Sequence, residues 1–191
     1  MKRKEFGQRL LLGGGTIALL PSMFLVQGCT YEPKLRTTLD ESDISFLDEL
    51  AETILPESKD TPGAKAAGVG AYILLMYQDC METESQVIFV KGINELDLRA
   101  FQLYEDAFED LEPDKKLAFL ESIQAEAIAY QEENEGVSDP DPHYFDLLKG
   151  LAISGYFSSE IGMTQARNYL PVPGEFKPCI PYQAGDKPWS L

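Results

Sequence analysis

This sequence is short of the residues that catalysis and metal binding usually require. It holds one histidine (His143), one tryptophan and three cysteines in 191 residues, and only 16 Lys and Arg against 32 Asp and Glu. A single imidazole cannot build the His-rich ligand sets of zinc sites, and no C-x-x-C, C-x-x-C-H or H-E-x-x-H spacing occurs, so structural zinc, zinc peptidase and covalent haem chemistry lack ligands. The formal charge of −16 opposes binding to phosphate backbones or anionic headgroups. No segment alternates apolar and polar residues long enough to suggest a sheet.

Glycine is present but in the wrong places for phosphate. Gly63, Gly68 and Gly70 fit neither the dinucleotide fingerprint nor the P-loop, and read as small residues at a helix contact. The acidic groups Glu105-Asp106-Glu109-Asp110 and Glu132-Glu133-Glu135 follow no EF-hand spacing and read as solvated helix faces. Catalytic, cofactor and metal residues are therefore all expected to be absent from this chain.

The N-terminus reads as an export signal. A basic start, MKRKEFGQR, precedes the apolar run LLLGGGTIALLPSMFLV, and Val26-Gln27-Gly28-Cys29 forms a lipobox-like end. Residues 1–28 are expected to be removed and Cys29 acylated, giving a membrane-anchored lipoprotein facing the periplasm. Arg3-Lys4-Glu5-Phe6 resembles a twin-arginine motif with one arginine in place, so both export routes stay open. An uncleaved transmembrane helix fits less well, because the run is short, Gly-rich and carries Pro21. Removing residues 1–28 deletes four basic side chains and one acidic, taking the charge from −16 to −19.

Two cysteines then remain, Cys80 and Cys179, in an oxidising compartment. A disulfide between them would staple the C-terminus to the body and contribute on the order of 4 to 5 kcal/mol. Two buried free thiols are the other reading.

Residues 29–41 read as a polar tether, 42–170 as a helical domain and 171–191 as a Pro-rich extended tail. Ile44, Leu47, Leu50, Ala51, Ile54 and Leu55 share a helical face that Asp40 or Ser42 can cap and Pro56 ends. Further helices are expected from Ala64 to Tyr77, from Thr83 to Glu109, from Pro113 onward and from Pro142 onward. His143, in a first helical turn, reads as exposed or capping. The class is all-α, a bundle of about five to six helices.

Residues 153–162, ISGYFSSEIG, invite an active-site reading that the chain does not support: there is no G-x-S-x-G elbow and no base beside Ser158 or Ser159. A hydroxyl followed by Glu160 reads instead as a helix start.

Four stretches carry a resemblance: LAETILPESKDTPGAKAAGV (50–69), FVKGINELD (89–97), GYFSSEIGMTQARNYLPVPGEFKPC (155–179) and PYQAGDKPW (181–189). Over about residues 44–191 the chain resembles the gluconate 2-dehydrogenase subunit 3 family. The resemblance implies a non-catalytic small subunit, without a cofactor of its own, that wraps a large FAD-dependent dehydrogenase of the glucose-methanol-choline type. It implies help in maturing and exporting that partner, in a complex with a cytochrome c or other electron acceptor. It also implies that Gly155, Tyr156, Phe157, Ser158 and Glu160 form a signature turn, for partner contact or for packing. A stand-alone sugar-binding or enzymatic surface lipoprotein is the alternative.

Overall fold

A computed structural model describes residues 31–172, 174–175 and 179–190; the expected signal peptide and Cys29 lie outside them. Among the described residues there are five α-helices: α1 (Ile44–Ile54), α2 (Val69–Asp79), α3 (Thr83–Tyr104), α4 (Pro113–Glu133) and α5 (Tyr144–Ser158). The class is all-α, as the periodicity predicts. The described strands are two-residue pieces, β1 (Asn168–Tyr169) and β2 (Trp189–Ser190), which pair in parallel.

A 3-10 turn, Glu41–Asp43, leads directly into α1 and carries the cap. Asp40 accepts from the Ser42 backbone N–H, and Asp43 accepts in return from the Asp40 N–H at 3.1 Å, a capping box that satisfies otherwise orphaned donors. α1 packs on α2 and α4, and α5 packs on α2 and α3. Leu47, Leu50, Ile73, Phe89, Ile93, Leu96, Ile123 and Leu148 are all fully buried between them. Each such side chain contributes about 1.5–3 kcal/mol by leaving water.

Three boundaries differ from the periodic reading. α2 begins at Val69 and not Ala64, because Gly68 takes a left-handed φ of 68° that ends the preceding turns. α3 stops at Tyr104, where Glu105 adopts φ 58°. The chain then reverses so that Phe108 can enter the core, its ring 6.0 Å from Phe46 and 6.1 Å from Phe119. The stretch read as a tether is docked on the helices from Lys34 on: Arg36 and Leu39 are buried. Arg36 brings its charge inside because two carboxylates meet it there, Asp43 and Asp97.

The expected disulfide is not formed. Cys80 and Cys179 are both free and exposed. The last turns of α5 lie against the start of α2, with Ser154 and Tyr72 hydroxyls 3.2 Å apart. Cys80 caps the far end of α2, eight residues or about 12 Å beyond Tyr72.

Candidate partner interface

The loop from Pro56 to Gly68 is held by carboxylates that α1 presents on one side. Glu52 accepts from the backbone N–H groups of Glu57 (2.9 Å) and Lys65 (2.7 Å), and Asp48 accepts from that of Gly70 (2.7 Å). Glu49 pairs with Lys65 and, at 2.8 Å, with Lys116 of α4. Burial pushes the Asp48 carboxyl above its ordinary value, only partly offset by the Gly70 N–H. Burial acts the same way on Glu49, but hydrogen bonds from Lys116 and Lys65 prevail and hold it below. The loop lies so close that Gly63 has no room for a Cβ, which would sit 2.0 Å from Glu52 Oε1.

The signature turn closes on this loop. Tyr156 is buried, and its hydroxyl donates to the Pro62 carbonyl at 2.7 Å. Gly155 is buried against Tyr72, whose ring would lie 2.5 Å from an added Cβ. Both residues therefore pack internally, and the partner-contact role expected for them is corrected: neither reaches the surface. Phe157 is half-buried, edge-on to Tyr156 and covered by the Arg167 guanidinium 4.3 Å from its centroid.

Ser158 ends α5 and is exposed, as is Glu160. Ser158 Oγ bonds back to the Gly155 carbonyl. The capping hydroxyl is that of Ser159, which accepts from the Gly162 N–H at 3.0 Å at the start of a π-helical turn, Gly162–Ala166. Gly162 must be glycine, since a Cβ there would lie 1.9 Å from the Tyr156 carbonyl oxygen. No base accompanies these serines: His143 caps the opposite end of α5, its Nδ1 accepting from the Phe145 N–H at 3.2 Å.

Beyond this turn the character of the surface changes. Tyr169, Leu170, Val172, Ile180, Tyr182 and Trp189 are all exposed, Val172 and Tyr182 by 78%. What the structure shows holding this segment is polar and local: Asn168 N–H to Pro188 O at 2.8 Å, Asn168 Nδ2 to Lys187 O at 2.9 Å, and Lys187 Nζ to Gln165 O. Residues 167–191 carry Arg167, Lys177 and Lys187 against Glu175 and Asp186, so this apolar strip is nearly neutral on an otherwise acidic protein.

Elsewhere, a shallow groove of about 270 Å³ between α3 and α4 is lined by Arg99, Gln102, Leu103, Phe119 and Ser122. Its cation is already engaged, as Arg99 grips Glu126 with both terminal nitrogens. Among the described residues no three His, Cys, Asp or Glu side chains are placed to hold a metal ion, and no helix is long and apolar enough to cross a membrane.

Sequence reasoning found the turn but missed Arg167 and the carboxylates of α1 that seat the loop. The first is one basic residue in an aromatic context, and the others look like any polar helix face. The tail aromatics were visible as a signal, being apolar residues in a Pro-rich segment that has no helix face to bury them.

A family model described as gluconate 2-dehydrogenase subunit 3 matches residues 41–174. It begins one residue after Asp40, spans the seated loop and the signature turn, and ends before the PYQAGDKPW stretch. No curated protein and no solved structure matches the chain.

Proposed function

The chain belongs to the gluconate 2-dehydrogenase subunit 3 family, and from that premise we propose that it is a non-catalytic accessory subunit. It binds a large FAD-dependent dehydrogenase of the glucose-methanol-choline type acting on sugars or alcohols, and helps to mature, export or tether it. The flavin belongs to the partner, and a cytochrome c or similar acceptor completes the complex. The observation that carries this reading is the exposed, near-neutral apolar strip from Tyr169 to Trp189, because apolar side chains that the chain's own core leaves uncovered are what a partner surface buries.

Membrane attachment is part of the proposal. Cys29, at the end of Val26-Gln27-Gly28-Cys29, is acylated after export and holds the complex at the periplasmic face. Cys29→Ser should release the protein from membranes, and a fatty-acid analogue should label the wild type and not the variant.

Purification of the native protein under mild detergent tests the whole reading. A flavin-containing polypeptide should come with it, and the isolated small subunit should oxidise no sugar with an added acceptor. Turnover by the isolated chain would overturn the accessory role.

A further inference from the structure

The segment from Lys34 to Asp43 joins the N-terminal part of the chain to the body, and it does so by an unusual amount of specific bonding. Arg36 donates Nε to Asp43 Oδ1 and Nη1 to Asp97 Oδ2, both at 2.8 Å, with its guanidinium carbon 4.6 Å from the Phe46 ring centroid. Lys34 Nζ adds a 2.8 Å bond to the same Asp43 oxygen. Two cations thus face two carboxylates, and Asp97 is fully buried.

The backbone is clasped as well. Asn94 of α3 donates Nδ2 to the Arg36 carbonyl at 2.7 Å and accepts the Arg36 N–H at 2.9 Å. Further along, Leu39 is 1% exposed, its carbonyl accepts from Gln78 of α2, and Thr38 meets the Tyr77 hydroxyl at 3.2 Å. α1, α2 and α3 therefore all hold this strap. A buried ion group of this kind does little for net stability compared with apolar packing, but it rejects other arrangements, since slippage would strand a charge away from water.

We propose that residues 34–43 form a fixed mount for the N-terminal anchor. With the strap locked, only residues 30–33 separate Cys29 from the body, so the body is held within about 17 Å of the acylated residue. Were the whole stretch to residue 41 free, the reach would be about 40 Å. This rests on the lipid-anchor reading above, and it makes the strap a spacer that keeps body and partner close to the bilayer.

Hydrogen exchange on the soluble Cys29→Ser full chain tests the strap without the membrane. The Arg36 amide should be protected. Asn94→Ala removes both backbone bonds and strands no charge, and it should speed exchange at Arg36 about tenfold while leaving α4 and α5 unchanged. Wild-type exchange at Arg36 as fast as in an unfolded peptide would overturn the strap. In vesicles, with Cys179→Ser so that Cys80 alone carries the donor, energy transfer to an acceptor lipid should be stronger for the acylated chain than for one lengthened by a flexible Gly-Ser insert of about ten residues between Pro33 and Lys34, and equal transfer would overturn the mount. A protected Arg36 amide in a chain that vesicles do not retain would overturn the anchor, and with it the mount, while leaving the strap in place.

Discussion

The Tyr156 hydroxyl donates a 2.7 Å hydrogen bond to the carbonyl of Pro62, joining two segments 94 residues apart in the chain. The loop after α1 and the turn that ends α5, two of the stretches that carry the family resemblance, are thereby parts of one contact. This explains why a tyrosine stands in the turn: the ring fills the core and the hydroxyl satisfies a carbonyl that the proline-bearing loop cannot pair internally.

Tyr156→Phe should lower stability by about 1 kcal/mol, the net worth of a typical hydrogen bond. Tyr156→Ala should cost about 3–5 kcal/mol through the cavity it leaves. Urea unfolding of both variants separates ring from hydroxyl, and a Phe variant as stable as wild type would remove Pro62 as the hydroxyl's partner.

Two glycines of α5 should respond in opposite directions to the same substitution. Gly150 has nothing within 4 Å of a new Cβ, so Gly150→Ala should stabilise by about 0.5–1 kcal/mol through helix propensity alone. Gly155→Ala would place its methyl 2.5 Å from the Tyr72 ring and should lower the melting temperature. Thermal melts of the two variants check the sign of each.

Acid should destabilise the protein through its paired carboxylates. Burial alone would raise the Asp43 carboxyl, but bonds from Lys34, the Asp40 N–H and Arg36 hold it below its ordinary value of 3.8, and Glu49 is held down likewise. A folded pKa below the unfolded one means the contribution is fully present above the unfolded value and is lost as pH falls through the folded one. Asp48 is shifted upward by burial and so contributes with the opposite sign: its charged form is penalised once pH rises past the unfolded value. The urea midpoint should fall as pH drops below about 4, and Asp48→Asn, which keeps an acceptor for the Gly70 N–H, should match or exceed wild type at neutral pH.

How much of this was legible in the sequence depends on what set each feature. Pro56, Pro113 and the capping residues Asp40 and His143 act within one turn, so the end of α1 and the starts of α1, α4 and α5 could be read from neighbours to within a few residues. The stop at Tyr104 could not, because Glu105 has no intrinsic preference for φ 58° and takes it only so that Phe108 reaches the core. Asp97 sat visibly on an apolar face at position 97, yet its partner Arg36 lies 61 residues away, in a stretch whose polar composition matched a tether. The Cys80 and Cys179 pairing failed for a similar reason: an even count of thiols says nothing of where the fold places each.

Both thiols, being free and exposed, should react with a maleimide in the native protein without denaturant, and non-reduced digests should contain no Cys80–Cys179 peptide. A protected pair that reacts only after reduction would restore the staple.

The tail offers its own reporter, because the chain holds one tryptophan and it lies in β2. Trp189 is 59% exposed, so the isolated protein should show the long-wavelength emission of a solvated indole and full access to a small neutral quencher. Burial of the strip by a partner would shift that emission to shorter wavelength and block the quencher. Removing residues 168–191 should spare the helical body, since the core residues Leu47, Leu50, Ile93, Ile123 and Leu148 all precede them, and helical circular dichroism should confirm it. The same truncation should abolish co-purification of the flavoprotein. A truncated chain that keeps its helicity and still captures the partner in full would place the contact elsewhere on the body and remove the tail from the interface.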